Sequence, residues 1–360
     1  MNIQPESESL QELWKKRPLI IAGPCSAETE EQIIETAVQL AETKRIDIFR
    51  AGIWKPRTRP GSFEGIGTKG LAWLVKAKQL TGLPMTVEIA TAKQVEDALH
   101  FGIDVLWIGA RTSVNPISMQ DIADSLRGVN IPVLIKNPIN PDLELWTGAV
   151  ERIAKAGIKN IGLVHRGFSV YGNTYYRYAP MWHLAIEMKR RNPELLMLCD
   201  PAHISGRTDI LHEVAQKAID LDYDGIMIES HCNPEAAWTD KKQQVKPNEL
   251  VELLDSIIWR REKVDENTFN SSLEKLREQI NQIDDEILQL LGQRMKIAEQ
   301  IGANKKENKV TILQPSRWNE IYEKTVQQAE ALGISREFIV KYLDAVHEES
   351  INKQNAVMNS

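Results

Sequence analysis

Apolar positions along the chain follow two different patterns. Through residue 231, short, mostly apolar runs recur at 19–22, 46–49, 85–89, 105–108, 133–135, 161–164, 196–199 and 226–228. Amphipathic stretches lie between many of them, at 31–43, 71–80, 92–99, 144–156, 181–190 and 210–220. A strand that is apolar at every position needs cover on both faces, which is the situation of a parallel sheet flanked by helices. Eight such runs predict a closed (β/α)8 TIM barrel rather than an open sheet, ending near a helix over 248–263. A polar stretch at 265–272, with Phe269 its one apolar residue, reads as a linker.

Beyond the linker the apolar spacing becomes three and four. Leu273, Leu276, Ile280, Ile283, Ile287 and Leu290 form a seam that continues through Arg294 to Ile297 and Ile301. That is the signature of one long helix. Segments 318–331 and 335–354 also read as helices, separated by Leu332 and Gly333. The predicted organisation is a barrel over 1–264, a linker over 265–272 and a small all-α domain over 273–360. A seam this long with so few helices to cover it predicts a homodimer.

The candidate chemistry sits just after the apolar runs. In order these residues are Cys25, Arg50 with Lys55, Glu88, Arg111, Lys136, His165 with Arg166, His203 and Glu229. In a barrel the C-terminal strand ends share one mouth, where active sites lie; in an open sheet they would not converge. The loop after the second run alone holds Arg50, Lys55, Arg57 and Arg59. With Arg111, Lys136 and Arg166 these cations would repel one another unless anions bind among them. Guanidinium grips phosphate and carboxylate bidentately, and lysine adds a point charge. The plainer alternative is a solvated basic rim paired with acids elsewhere.

Cys25, His203, Glu229 and Asp240 offer a thiolate, an imidazole and two carboxylates, a set suited to a divalent transition ion. His231 and Cys232 compete as ligands. Each residue alone also has a structural reading: a small buried thiol, a satisfied histidine, a loop acid. Cys199 lies within a run and reads as core. In the helical domain Arg294 stands where the seam calls for Leu or Ile, and a buried arginine needs an anion. The anion is either a ligand or an internal acid such as Glu299 or Glu349. Arg277, Lys305 and Arg317 add cations nearby.

Composition narrows the setting. With 42% apolar and 26% charged residues the chain has enough of both for a globular core and a solvated surface. A net charge of −6 argues against a nucleic-acid partner, which needs a basic surface. Three widely spaced cysteines make no disulfide framework and suit a reducing compartment. Residues 1–16 lack the apolar stretch of a signal peptide, and no run approaches the roughly 18 residues of a membrane span. The expectation is a cytoplasmic protein with no membrane partner.

Several motifs then carry a resemblance. Ala22-Gly-Pro-Cys-Ser26, Lys55-Pro-Arg-Thr58, Gly109-Ala-Arg111, His165-Arg-Gly167, Asp200-Pro-Ala-His203 and Glu229-Ser-His231 form an ordered set. It resembles that of the 3-deoxy-D-arabino-heptulosonate-7-phosphate (DAHP) synthases, in their compact type I beta form, over about residues 17–262. The resemblance implies phosphoenolpyruvate held by Arg50, Lys55, Arg111, Lys136 and Arg166, and erythrose 4-phosphate against Arg57 and Thr58. It implies one divalent metal on Cys25, His203, Glu229 and Asp240, manganese before iron, cobalt or zinc, and Lys55 as proton donor. The related 3-deoxy-octulosonate phosphate synthases resemble Lys-Ala-Asn-Arg where this chain has Lys-Pro-Arg-Thr, so the four-carbon aldose phosphate is favoured over arabinose 5-phosphate.

Residues 273–354 resemble the helical chorismate mutases of the AroQ type, through Leu276-Arg277, Arg294, Lys305, Arg317, Ser350 and Gln354. The resemblance implies that Arg277 reaches across a dimer and that Arg294 and Arg317 hold carboxylates. Lys305 and Gln354 would face the ether oxygen, with Ser350 and Gln314 as secondary contacts. Many members carry an acid where this chain has Trp318, and one is also common at Gln314. The combined expectation is a bifunctional shikimate-pathway enzyme acting on phosphoenolpyruvate, erythrose 4-phosphate and chorismate. The alternative makes the helical domain a regulatory module that binds prephenate or chorismate. Prephenate is the expected feedback ligand of the barrel.

Overall fold

The computed structural model describes residues 10–57, 60–172, 175–260 and 267–359, without the side chains of 267–269. Its strands are β1 (Leu19–Gly23), β2 (Ile48–Ala51), β3 (Met85–Ile89), β4 (Val105–Ile108), β5 (Val133–Lys136), β6 (Ile161–His165), β7 (Leu196–Cys199) and β8 (Gly225–Glu229). They pair in sequence order, and β8 closes on β1 in parallel register, Leu19 opposite Gly225 and Gly23 opposite Glu229. Every strand residue is buried except Glu88, which is half-buried at the mouth. Alternate residues serve two cores. Leu19, Ile21, Trp107, Leu134 and Leu198 fill the lumen, while Ile20, Ala22, Leu106, Ile108 and Ile135 face the outer helices. Burying each leucine or isoleucine side chain among these contributes about 1.5–3 kcal/mol.

The barrel helices are α1 (Leu10–Lys15), α2 (Glu30–Thr43), α3 (Lys69–Thr81), α4 (Ala92–His100), α5 (Pro116–Ser125), α6 (Leu143–Lys155), α7 (Trp182–Arg191), α8 (Pro201–Ser205), α9 (Leu211–Asp220) and α10 (Pro247–Ser256). Thr29, Thr91, Asn115, Asp142 and Asp200 start five of them by accepting a first-turn N–H. α1 lays Leu10 and Trp14 against the lumen core.

Three details differ from the sequence expectation. α5 was not foreseen, because its apolar face is narrow: Met119, Ile122 and Ala123 are buried, but Ile117 is exposed. β2 begins at Ile48 rather than at 46, because the Asp47 carboxylate accepts the Ile20 N–H at 2.8 Å in place of a ladder partner. α10 stops at Ser256, so 257–260 of the expected helix are not helical, and 261–263 lie outside the described residues.

By its internal contacts the chain separates into Met1–Glu262 and Lys263–Ser360. The second unit holds α11 (Asn267–Asn308), α12 (Pro315–Ala331) and α13 (Arg336–Asn359). Residues 267–272 of the expected linker are the first turns of α11; 265 and 266 lie outside the described residues. Val326, Ala329, Ile339 and Leu343 form a small core. The seam of α11 is largely uncovered, with Leu276, Ile280, Ile283 and Ile297 each more than half exposed. No helix among the described residues is long and apolar enough to cross a membrane.

At the end of β1, Gly23 has φ +151°, and a Cβ there would overlap the Arg50 carbonyl of β2. The absent side chain lets the two strand ends approach where Cys25 and Arg50 diverge into the mouth. Gly23→Ala is expected to lower unfolding free energy by about 1–3 kcal/mol, the range for a residue forced into unfavourable backbone geometry. Urea denaturation measures this; an unchanged midpoint would mean that the rim spreads freely.

Candidate active site

Barrel closure brings the strand-end residues to one cavity, lined by Arg50, Lys55, Arg57, Glu88, Arg111, Lys136, Arg166, His203, Glu229 and Asp240. All five residues expected to hold phosphoenolpyruvate are among them. Arg50 is 2% exposed, and its guanidinium lies 4.8 Å from the Trp107 ring centre. Its Nη2 stands 3.5 Å from Glu229 Oε1, while Nε and Nη1 are buried without a hydrogen-bond partner. Lys136 Nζ donates to Asp200 Oδ2 at 2.6 Å. Burial pushes the Lys136 pKa down despite Asp200. Arg166 sits 3.6 Å over the Tyr178 ring, and burial lowers its pKa too. Buried donors without acceptors in a cation-rich mouth are what an anionic ligand would satisfy.

The Cys25, Glu229 and Asp240 ligand atoms lie within 4.8 Å of one another. Cys25 Sγ is 3.1 Å from Asp240 Oδ2 and 2.7 Å from Lys55 Nζ. Burial first, and Glu229 next, push the Cys25 thiol far above its usual range, so a thiolate there requires a cation. Asp240 is held below the usual carboxylate range, although burial opposes this, by Arg177 and His203. His203 lies beside the trio, its Nδ1 3.8 Å from Glu229 Oε1 and 2.8 Å from Asp200 Oδ2. The Asp200 contact is close but not aligned as a hydrogen bond. Glu229 Oε1 and His203 Nδ1 are thus buried polar atoms with no hydrogen-bond partner. One sulfur, two carboxylates and an adjacent imidazole fit a divalent ion, which could be held by these residues.

The competing ligands turn away. His231 Nδ1 accepts the Asn233 N–H at 2.8 Å, its Nε2 stands 3.8 Å from Glu28 Oε2, and Cys232 Sγ lies 4.0 Å from the Gln32 carbonyl. Cys199 is buried in β7. Arg57 Nε donates to the Phe63 carbonyl at 2.7 Å; Thr58 and Arg59 lie outside the described residues. Sequence reasoning missed Arg177, whose Nη1 donates to Asp240 Oδ1 at 3.0 Å, and Tyr178, which also lines the cavity. Asp200 was legible only as part of a motif. It caps α8 through the His203 N–H and also pairs with Lys136. Burial opposes its ionisation, but His203 and Lys136 outweigh that and hold it well below the usual range.

In the helical unit four of the candidate residues meet in two pairs. Arg294 Nη1 donates to Ser350 Oγ, and Lys305 Nζ donates to Gln354 Oε1 at 3.1 Å and to the Ile312 carbonyl at 2.6 Å. A Cβ on Gly302 would stand 2.9 Å from Gln354 Cα, so glycine allows α11 and α13 this close. Arg277 and Arg317 stay exposed, paired with Glu274 and Glu320, and Gln314 is exposed at the start of α12. Trp318 stacks on His347 at 3.7 Å.

Fold and site together define a (β/α)8-barrel enzyme whose mouth is charged for anions, followed by a helical domain with its own cationic pair. The chain belongs to the DAHP synthetase I family, whose model matches residues 14–266, and carries a chorismate mutase type II domain, matched over 276–355. A phospho-2-dehydro-3-deoxyheptonate aldolase of Thermotoga maritima is 33% identical over 226 residues, covering 63% of this chain and 64% of that protein, just under two thirds of its length. A 2-dehydro-3-deoxyphosphooctonate aldolase of Desulfotalea psychrophila is 26% identical, covering 69% of this chain and 91% of that protein. The crystal structure of the Thermotoga maritima DAHP synthase is similar with a TM-score of 0.59 and 31% identity, over 66% of this chain and 67% of that one.

His165, at the end of β6, does not line the cavity but is placed to set a pH response. His165 Nε2 faces the Pro180 carbonyl at 2.7 Å, so that nitrogen carries the proton and Nδ1 accepts from the Tyr223 hydroxyl at 2.9 Å. Burial pushes its pKa down to about 4. The unfolded chain takes the proton first, so the contribution is complete above pH 6.5 and is lost as pH falls toward 4. The loss is about 3 kcal/mol at ~1.4 kcal/mol per unit. His165→Gln, which keeps a donor and an acceptor, is expected to flatten the fall in urea midpoint across that window. His203, lowered in the same direction, leaves part of the slope in place. Identical slopes in both proteins would assign the pH response elsewhere.

Proposed function

We propose that the barrel condenses phosphoenolpyruvate with erythrose 4-phosphate to DAHP and phosphate, and that the helical unit rearranges chorismate to prephenate. The observation that carries the first reading is the meeting of five cations, Arg50, Lys136 and Arg166 among them buried, with the Cys25–Glu229–Asp240 cluster in one cavity. Arg50, Lys55, Arg111, Lys136 and Arg166 would bind the phosphate and carboxylate of phosphoenolpyruvate and point its enol carbon at the aldehyde. Arg57 and Thr58 would take the phosphate of the aldose. Bound on Cys25, His203, Glu229 and Asp240, a divalent ion, manganese in the first instance, would supply Lewis acidity toward the aldehyde. The new carbon–carbon bond leaves an alkoxide, which Lys55 is set to protonate. Water adds to the cationic carbon left behind, and the phosphate departs.

For the helical unit, Arg294 and Lys305 supply fixed positive charge for a pericyclic step that needs no nucleophile. Arg294 and Arg317 would hold carboxylates, and Lys305 and Gln354 would meet the ether oxygen. Arg277 would act on a second subunit, a homodimer being supported by the uncovered α11 seam. Ser350 and Gln314 would be secondary contacts. A second reading, a prephenate- or chorismate-binding module, is favoured by one observation: Trp318, stacked on His347, offers no carboxylate to a substrate hydroxyl.

Phosphoenolpyruvate consumption by chelator-treated protein tests the barrel. Activity with erythrose 4-phosphate is expected to return with Mn2+ and to be lost in Cys25→Ala. Turnover of arabinose 5-phosphate instead would assign the barrel to octulosonate synthesis. Lys55→Met is expected to lower kcat about 10²–10⁴-fold, the usual contribution of a positioned proton donor. Arg294→Ala is expected to lower chorismate turnover roughly 10²–10³-fold, as for loss of one preorganised donor. No chorismate turnover by the intact chain would favour the binding module, and prephenate should then still slow the condensation.

A further inference from the structure

Two consecutive glutamines, Gln243 and Gln244, lie in the loop after β8, only 1% and 2% exposed. A side-chain amide offers an acceptor oxygen and a donor nitrogen, and each of these residues uses both. Gln243 Oε1 accepts from Arg177 Nη1 at 2.5 Å, and Gln243 Nε2 donates to Glu229 Oε2 at 2.7 Å. Arg177 Nη1 also donates to Asp240 Oδ1 at 3.0 Å. One oxygen of each carboxylate is therefore occupied from behind. The other oxygens are Glu229 Oε1, buried without a hydrogen-bond partner, and Asp240 Oδ2, 3.1 Å from Cys25 Sγ. Gln244 Oε1 accepts the backbone N–H of Cys25 at 2.9 Å, and Nε2 donates to the carbonyl of Thr239 at 2.8 Å. It thus bridges the residue that carries the sulfur and the residue just before Asp240. Ser26 Oγ and Thr239 Oγ1, 2.5 Å apart, tie the same two loops again.

We propose that Gln243 and Gln244 are positioning residues for a divalent ion at Cys25, Glu229 and Asp240. Gln243, with Arg177, selects which oxygen of each carboxylate stays free. Gln244 sets the separation between the loop after β1 and the loop after β8. Both roles rest on the reading of that cluster as a metal site. Glutamine suits both places for a chemical reason. Leucine would leave the rear oxygen of Glu229 without its donor, and glutamate would set an acceptor against a carboxylate. Groups that orient metal ligands typically change affinity ten- to a hundredfold when removed.

The test is Mn2+ titration of chelator-treated, full-length protein, with free ion read by electron paramagnetic resonance and the bound-ion spectrum recorded. Gln243→Leu and Gln244→Leu are each expected to weaken Mn2+ binding roughly ten- to a hundredfold. The bound spectrum should change, and the thermal midpoint of the metal-free protein, recorded alongside, shows which variants remain folded. Arg177→Met provides a variant at a partly exposed position, should a buried substitution fail to fold. It is expected to weaken binding, and combined with Gln243→Leu to add less than its separate loss, because both act through the same oxygens. Parent-like Mn2+ affinity and spectrum in folded Gln243→Leu or Arg177→Met would overturn the role of Gln243. The same result in Gln244→Leu would overturn that of Gln244. A parent protein that binds no Mn2+, or binds it equally after Cys25→Ala, would instead remove the metal-site reading itself.

Discussion

Closing eight strands into a ring forces the groups at their C-terminal ends into a space where neither sign of charge can be left uncompensated. Cations outnumber acids on the ring, and three of its acids are each shared between two neighbours. Glu229 faces Arg50 and Gln243, Asp200 faces Lys136 and His203, and Asp240 faces Arg177 and Cys25. Burial alone would raise the pKa of each of these carboxyls, yet all three are held below their ordinary range. Their surroundings therefore stabilise the ionised form by more than desolvation disfavours it. What lacks a hydrogen-bond partner is specific: guanidinium nitrogens of Arg50 on one side, an oxygen of Glu229 on the other. The mouth is thus polarised toward an anion and a cation bound side by side.

The helical unit meets a related requirement with much less burial. Arg294 interrupts the apolar seam and finds Ser350 and the Val346 carbonyl on α13. Lys305, further along α11, finds Gln354 and the Ile312 carbonyl. These partners are neutral, so the positive charges are oriented but not neutralised. That is a different solution from the barrel, where acids do the orienting, and it suits chemistry that needs a standing field rather than proton transfer.

Much of this was legible in the sequence because of how parallel barrels bury their strands. A run such as 105–108, apolar throughout, reports a strand covered on both faces, and β4 lies there. What the run does not reveal is that Trp107 faces the lumen while Leu106 and Ile108 face the helices, since both environments are apolar. The cations at strand ends were legible because charge directly after an apolar run is conspicuous. Arg177, Gln243 and Gln244 were not. Their loops show no local period, and an uncharged amide in a polar loop looks the same whether it is solvated or fully buried. In the helical unit the seam marked α11, but nothing local marked Trp318 and His347 as stacked neighbours from different helices.

The packed lumen has a consequence for traffic. With Leu19, Trp107, Leu134 and Leu198 filling the channel, and Trp14 and Leu10 laid against that filling, the barrel is a cup rather than a tube. Whatever enters past the outer loops must leave by the route it took. The seats formed by Arg50 and Lys136 lie far down, almost inaccessible to solvent, whereas the loop bearing Arg57 is at the rim. A molecule settled at the rim therefore obstructs the path to the bottom.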